Sequence, residues 1–298
     1  QIASSLSPRV RLTLTRSGQA TVTYTHTRIT SLEHTEQPYD MQAEVVLNNW
    51  DLLVTTDFKG YKGVIEYGVV EAAADNYTSG KTAPLWVAGQ EYHSQQGIVS
   101  VNLKLIGLPN LLALDKASAQ SLMSNADLQT PKDLLTQVVK AILPDWAATT
   151  VYALDALVIP ATQNDLVYKC TVAGTSAGAE PVFPTVIGNT VADNTVTWKC
   201  MGKELTVFSH CKAYTPTFDS EDDLLDSIIP ADTLQIFQND TRMDTIRRLL
   251  FLTRVVMRVE DDEEVHFLAP TVDGDTWVLN TAYTVNEYAE PTAANTSF

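Results

Sequence analysis

The sequence predicts a mainly β protein of the α+β class, with two barrel or sandwich parts, packed helices and a small all-β module between them. Three observations carry this prediction. Apolar and polar residues alternate in many segments, and a period of two is typical of strands with one face on a core. Threonine, valine and tyrosine are plentiful, which favours strands over helices. A change in composition sets residues 145–202 apart from the rest.

Six strands are predicted before any helix, and this number suits a barrel or a sandwich. The polar elbow Asn48-Asn49 ends the third strand, because asparagine tolerates turn geometry and can bond its own backbone. Small and polar residues at 71–82 predict an exposed loop. The alternating pattern places two strands within 9–30, and single strands at 42–48, 64–70, 85–92 and 98–107.

The clearest helix is predicted to begin after Thr130. Thr130 can cap this helix, Pro131 suits its first position, and Asp133 completes a capping-box pattern. Pro144 would then stop the helix. Its apolar stripe, at helical spacing, consists of Leu134, Leu135, Val138, Val139 and Ile142.

The last part of the chain mixes helices and strands again. Ser220 and the carboxylates at 221–223 predict the start of a short helix, and Asp240 or Thr241 is predicted to cap a longer one. A hairpin is predicted around the acidic turn at 261–264. These changes of style divide the chain into a first part at 1–144, a module at 145–202 and a second part at 203–298.

The chain is strongly acidic, with 36 acidic and 20 basic residues and a net charge of −16 over 298 residues. Clustered lysines and arginines are missing, so we do not expect sequence-specific DNA binding. The charge would repel DNA that has to pass without sticking, or it keeps an oligomer soluble. No apolar run approaches the roughly 18 residues that a membrane-spanning helix needs. We also expect no secretion signal.

Two stretches carry a family resemblance. The first is VVLNN at 45–49, followed by an acidic loop and KGYKGVIEYG at 59–68, and it resembles the first barrel of phage tail hub and minor tail proteins. The second is the predicted helix followed by VMRVEDDEEVHF at 256–267, which is similar to the second half of such hubs. The resemblance implies two hub-type parts of one protein, with residues 145–202 inserted between them.

The inserted segment has a resemblance of its own. Its aromatic residues and cysteines recur in the strings WAATTVYALDALV at 146–158, LVYKC at 166–170 and VTWKC at 196–200. They resemble a small all-β module that recurs in phage tail and tail-fibre proteins. The opening string is also similar to chitin-binding modules of bacterial chitinases, which implies contact with a glycan.

A sugar-stacking face is therefore one interpretation of the module's aromatic residues. Flat rings cover the C–H surface of a sugar, and Trp146 and Tyr152 are the pair expected to be exposed. The second interpretation is that so small a module needs these rings as its core. The candidate glycan-binding residues are Trp146, Tyr152, Tyr168 and Trp198.

Cys170 and Cys200 occupy matching places in the strings YKC and WKC. They could pair across a sheet as a disulfide, or they could be two buried free thiols in a protein assembled in a reducing cytosol. Together with Cys211 they lack CxxC spacing, so a zinc site is not expected.

No catalytic constellation is recognisable in the sequence. The acidic turn at 261–264 could hold Ca²⁺, but it lacks the spacing of a calcium loop, and a solvated hairpin tip is the preferred interpretation. His210 and Cys211 could form a nucleophile pair, and carboxylates within 219–223 could cleave glycosides. Structural histidines and helix-capping carboxylates account for these residues better. We expect no enzyme, no cofactor and no metal.

The resemblance implies a structural virion component, namely a baseplate hub or distal minor tail protein at the tail tip, assembled in the host cytoplasm. Its copies would form a ring, as a trimer, around the DNA channel, with DNA only as passing, non-specific cargo. The implied partners are tail-tube, tape-measure and fibre proteins, and a host glycan or a protein for the module. A carbohydrate-binding or carbohydrate-active β-modular protein, and a tail-completion or fibre-attachment protein, stay open as hypotheses.

Overall fold

The computed structural model describes residues 8–71, 74–124, 126–219, 223–230 and 233–270. The first part of the chain forms the strands β1 (Pro8–Thr15), β2 (Val22–Thr25), β3 (Ile29–Gln37), β4 (Asp40–Asn48), β5 (Lys62–Glu71), β6 (Ala74–Lys81), β7 (Leu85–Gln95) and β8 (Ile98–Gly107). These eight strands make one antiparallel sheet in the order β2-β1-β5-β7-β8-β4-β3, with β6 beside β5. The predicted mainly β class is confirmed.

Alternation of side chains gives this sheet one buried face. Leu12 of β1 lies opposite Ile65 of β5, and Val45 of β4 lies opposite Leu103 of β8. All four side chains are fully buried. Directly opposed residues of an antiparallel pair share a face, so the register extends one apolar surface across the strands.

Two strand predictions need correction. Residues 71–82 contain β6, which pairs with β5 from Glu66↔Lys81 to Glu71↔Ala74, so the predicted exposed loop is largely a strand. Its small polar residues gave no strand signal, because β6 is held by its backbone ladder to β5 and by contacts from the distant Arg9 to Asp75 and Arg11 to the Tyr77 ring. The second strand predicted within 9–30 is divided into β2 and the start of β3, separated by the turn at 26–28.

Helix α1 (Leu108–Leu114), the short strand β9 (Ser121–Leu122) and helix α2 (Pro131–Lys140) follow the sheet. The predicted capping box of α2 is confirmed: the Asp133 amide donates to Thr130 Oγ1 at 3.4 Å, and the Thr130 amide donates to Asp133 Oδ2 at 3.1 Å. Ile142 is 55% exposed, contrary to the predicted stripe, because the helix ends before it at Ala141, where φ is 62°.

The segment after α2 forms its own small sheets. Their strands are β10 (Val151–Tyr152), β11 (Leu157–Val158), β12 (Leu166–Val172), β13 (Gly174–Thr175), β14 (Thr190–Asp193) and β15 (Val196–Lys203). Four of them pair in the order β11-β12-β15-β14, and β10 pairs with β13. The aromatic cluster inside this module contains residues 146–200 alone.

A buried ion pair joins the module to helix α2. Lys169 Nζ on β12 lies 3.1 Å from Asp133 Oδ1 and 3.3 Å from Asp155 Oδ1. Asp133 is 2% exposed and Lys169 is 9% exposed. Nearby, the Gln129 side-chain Nε2 donates to the Lys203 carbonyl at 2.7 Å. The module is therefore held against the helical layer by specific polar contacts, and not by a free linker.

The remaining described elements are β16 (Pro216–Phe218), α3 (Asp223–Ser227), β17 (Gln235–Ile236), α4 (Arg242–Phe251), β18 (Val256–Val259) and β19 (Val265–Leu268). Strands β16, β19 and β18 form one sheet, and β17 pairs with β9. Apolar side chains from 205–267 share one hydrophobic cluster with those from 12–139. The predicted short helix is present as α3, but its proposed cap at 220–222 lies outside the described residues. The three domain boundaries stay predictions.

Arg242 ties the helices together and was not anticipated from the sequence. Its side chain is fully buried and donates to the carbonyls of Val138 and Val139 at the end of α2, at 2.6–3.0 Å. It also donates to Asp115 Oδ2, just after α1, at 2.6 Å. A cation suits these carbonyls, because they carry the negative end of the helix dipole.

Candidate functional site

The four predicted glycan-binding residues form the interior of the module. Tyr168 and Trp198 are fully buried and Trp146 is 8% exposed, while Tyr152 is half-buried. The rings of Tyr152 and Trp198 meet edge to face, with centroids 4.8 Å apart. The expected exposed pair of Trp146 and Tyr152 therefore needs correction: these rings stabilise a small core and do not present a flat stacking surface.

Asp193 explains why both indoles turn inward. Its Oδ2 accepts from Trp146 Nε1 at 2.8 Å and from Trp198 Nε1 at 2.9 Å, and its Oδ1 accepts from the Ala177 amide at 2.8 Å. The carboxylate is 2% exposed. A buried indole requires an acceptor, and one carboxylate serves both. Asp193 was not predicted from the sequence, although the need of two tryptophans for a nearby acceptor was a usable signal.

Cys170 and Cys200 are both buried free thiols, so the disulfide considered for them needs correction. On the facing strands, Cys170 lies opposite Trp198 and Cys200 lies opposite Tyr168. The two cysteines are thus diagonal neighbours and not direct partners. Burial raises the pKa of each thiol, which disfavours the reactive thiolate.

The acidic turn after β18 surrounds His266, which is 6% exposed. His266 Nδ1 lies 2.9 Å from Asp219 Oδ2, and His266 Nε2 lies 3.0 Å from Asp262 Oδ2. Burial lowers the pKa of His266, but its hydrogen bonds and charge attraction to the two aspartates outweigh burial and raise the pKa. The protonated ring is therefore favoured between the two carboxylates.

The acidic residues around His266 are close enough to one another to hold a metal ion, but Arg258 and the protonated His266 already supply positive charge among them. Asp219, Glu260 and His266 could converge on one ion, as could Asp262, Glu264 and His266. Arg258 Nη2, however, lies 3.6 Å from Asp219 Oδ2 and also contacts Glu260. A metal held by Asp219, Glu260 and His266 would have to displace both Arg258 and the proton of His266. The absence of a metal stays a prediction.

The strongest candidate for an interaction site is the loop between β4 and β5. Trp50 and Leu53 are each 74% exposed, and Leu52 is 61% exposed. Large apolar side chains that stand together in solvent mark a contact surface, whereas isolated ones need no explanation. We call residues 49–54, which carry these three side chains, the Trp50 loop.

Several side chains brace the backbone of the Trp50 loop. Asn49 is 2% exposed; its Oδ1 accepts from the Val54 amide at 2.9 Å, and its Nδ2 donates to the Val54 carbonyl at 3.2 Å. Arg28 binds Asp51 through two contacts of 2.9 and 2.5 Å. The Arg28 hydrogen bonds hold the pKa of Asp51 at about 2. The loop is therefore preorganised, and its tip carries no uncompensated charge from Asp51.

The surroundings of the loop add apolar surface. The Asn49 amide donates to the Val99 carbonyl at 2.9 Å, which places the loop beside the hairpin between β7 and β8. Ile98 on that hairpin is 67% exposed, and Tyr92 is 54% exposed. Exposed apolar side chains of the loop and of this hairpin thus lie on neighbouring segments of the large sheet.

The catalytic hypotheses raised by the sequence gain no support from the described residues. Burial raises the pKa of the Cys211 thiol, and no hydrogen bond joins it to His210 in the described part of the chain. Asp219 binds His266, while residues 221–222 lie outside the described ranges. Within those ranges, no helix combines the length and the apolar content needed to cross a bilayer.

No family model and no curated protein matches the chain. Among solved structures, the chain is similar to a tail protein from Neisseria meningitidis MC58, with 8% identity and a TM-score of 0.38 over 87% of this chain and 50% of that chain. It is also similar to the 43 kDa tail protein of prophage MuSo2 from Shewanella oneidensis, with 9% identity and a TM-score of 0.38 over 86% of this chain and 54% of that chain. A Francisella PdpA–VgrG complex is also similar (9%, 0.41, 90% and 32%). The chain spans about half the length of the two tail proteins. At these TM-scores, the similarity does not establish a shared function.

Proposed function

We propose that the chain is a structural component of a phage tail, acting as a baseplate hub or distal minor tail protein. Copies associate as a trimeric ring around the DNA channel at the tail tip, after assembly in the host cytoplasm. Tail-tube, tape-measure and fibre proteins are the neighbouring partners. The sequence motifs at 45–68 and 256–267 support the family assignment, and the Trp50 loop supports a role in assembly. No substrate is converted.

The Trp50 loop is the observation that carries this proposal. A rigid loop loses little conformational entropy on binding, so the burial of its side chains contributes more fully to affinity. Tryptophan is the residue type most often found at energetic hot spots of interfaces. A chain that exposes Trp50, Leu52 and Leu53 on a braced loop is built to bury them against another protein.

The charge of the molecule supports the channel role. A net charge of −16 repels a polyanion, so DNA can pass a ring of such chains without being retained. DNA is therefore passing cargo and not a specific ligand.

The inserted module provides an external contact. Because its rings are buried, a glycan would have to bind through other residues, and contact with a protein is favoured. Its surface exposes Val182 to 91% and Val151 to 78%, which are apolar side chains suited to a protein neighbour. A carbohydrate-active role would need two acids that flank the scissile bond in a cleft. Glu33 and Glu44 line one groove, but they stand side by side on adjacent strands and do not face each other across it.

Self-association is the property to test. We expect wild-type protein to sediment as an oligomer, and the Trp50→Ser and Leu53→Ser variants to weaken that association at least about tenfold, because hot-spot truncation costs about 2 kcal/mol or more. Leu114→Ser is the matched control, since Leu114 is a leucine of similar exposure (68%) at the end of helix α1, outside the Trp50 loop. A wild-type monomer at every accessible concentration, or oligomers indifferent to Trp50, would refute the proposal.

A further inference from the structure

The outer side of helix α4 combines a positive charge with an exposed aromatic ring. Phe251 is 89% exposed, and Arg247 lies one helical turn before it and is also exposed. Residues four apart share a helix face. The guanidinium of Arg247 lies over the Tyr39 ring, 5.0 Å from its centroid, and no carboxylate pairs with it among the described residues. This face therefore presents an unneutralised cation beside an apolar side chain.

The outer side of the large sheet presents the opposite charge. Glu33 of β3 lies directly opposite Glu44 of β4. Like charges at such cross-strand positions repel each other. Glu44 accepts from the Asn102 side-chain Nδ2, but no cation lies within ion-pair distance of either glutamate in the described part of the molecule. Lys104, the cross-strand partner of Glu44, is engaged by Glu91 at 2.9 Å.

A groove of about 470 Å³ lies beside these glutamates. Ala88, Gly89 and Ile106 also line it, together with Lys104. Gly89 sits at an irregularity in the β7–β8 ladder and faces Lys104. The stem of Lys104 lies over Gly89, since a Cβ added there would meet Lys104 Cβ at 3.6 Å and Cδ at 3.8 Å. The apolar lining left for an incoming ring is therefore Ala88 and Ile106.

We propose that the α4 face of one copy binds this groove on a second copy of the chain, with Phe251 over Ala88 and Ile106, and Arg247 between Glu33 and Glu44. The inference rests on the proposed function, because it requires copies that associate. It goes further by naming a contact distinct from the Trp50 loop and the two surfaces that form it.

The dimensions of the two surfaces agree. Glu44 and Ile106 are diagonal neighbours on β4 and β8, and such neighbours lie about 7–8 Å apart. Arg247 and Phe251 have Cβ atoms about 6 Å apart, and the long arginine side chain spans the remainder. Arg247 can thus reach both glutamates while the Phe251 ring lies in the apolar part of the groove.

Charge complementarity identifies the partner. The groove rim carries two carboxylates without an ion-pair partner, and the helix face carries a guanidinium without one, in the described part of the chain. Within one chain, Arg247 is occupied at Tyr39, in the turn between β3 and β4, so it does not reach Glu33. A second copy supplies the cation that relieves the repulsion between Glu33 and Glu44, and the groove supplies the anion that Arg247 lacks.

Charge reversal in the full-length chain tests this contact. We expect Arg247→Glu, Glu33→Arg and Phe251→Ser each to weaken self-association at least about tenfold in sedimentation equilibrium. The double variant Arg247→Glu/Glu33→Arg should recover to within about threefold of wild type. Arg16→Glu is the matched control, because Arg16 is also an exposed arginine over a tyrosine ring and its reversal changes the net charge equally. Thermal unfolding verifies that each variant is folded.

The outcomes separate the two proposals. If Trp50→Ser disrupts the oligomer while the α4 and groove variants associate like wild type, the inferred contact is wrong and the structural role stands. Failure of the double variant to recover also overturns the contact. If the wild-type chain does not associate at all, both proposals fail.

Discussion

Asp193 is the side chain on which the interior of the module depends. It accepts from two buried indoles and one amide, so the carboxylate replaces water for three donors. We predict that Asp193→Asn lowers the free energy of unfolding by about 2–3 kcal/mol, because at least one donor loses its acceptor in a buried site. Chemical denaturation measures this loss.

Asp145→Asn is the control for that measurement, since Asp145 is exposed beside the same module and surface changes usually alter stability by less than about 0.5 kcal/mol. An Asp193→Asn protein as stable as the control would show that the indoles do not need the carboxylate.

His266 predicts a dependence of stability on pH. Its pKa is raised in the folded protein, so its contribution is fully present below the ordinary pKa of about 6.5 and is lost as pH rises through the folded value. The groups that face it are Asp219, Glu260, Asp262 and Arg258. We predict that the melting temperature of the wild type falls as pH rises from about 6 to about 8.

The His266→Gln variant should lose most of this fall, while His210→Gln, at an exposed position, should retain it. Thermal melts at several pH values decide the matter, and identical pH profiles for His266→Gln and wild type would contradict the assignment.

Helix α2 and strand β12 meet at one buried lysine. Breaking a buried pair leaves an uncompensated charge, and Asp133 is 2% exposed. We predict that Lys169→Met costs about 2–4 kcal/mol of unfolding free energy and makes the boundary between module and helix more accessible to proteases.

Lys199→Met is a closely matched control, because Lys199 lies directly opposite Lys169 on β15 but has no carboxylate partner among the described residues. If the two variants unfold alike, the ion pair does not hold the module in place.

Local rules predicted some elements and not others, for a physical reason. Helix α2 follows from residues 130–140 alone, since its cap and stripe involve neighbours three and four apart. Strand β6 does not, because its small polar residues are ordered by backbone bonds to β5. The exposure of Trp50 could not be predicted from the sequence either, because it results from the contacts of Asn49 with Val54 and of Arg28 with Asp51.

The whole molecule carries its charge as a repulsive field toward nucleic acid. We predict no binding of a duplex of about 20 base pairs by fluorescence anisotropy at about 50 mM salt, with any dissociation constant weaker than about 10⁻⁴ M, because non-specific binding depends on clustered cations. Reduced ionic strength strengthens such contacts, so it is the stringent condition. Micromolar binding that weakens steeply with added salt would contradict the role of DNA as passing cargo.

Composition and periodicity determined the mainly β class, the alternating faces of the strands and the capped helix α2, because these depend on residue types and on spacings within a few positions. Only the tertiary structure decided three other features. Trp146 and Trp198 are buried against one carboxylate, Cys170 and Cys200 are free thiols, and the Trp50 loop is exposed to solvent. Each depends on contacts between residues that are distant in sequence, such as Trp146 and Asp193, 47 positions apart. No local pattern encodes which of two distant segments will meet.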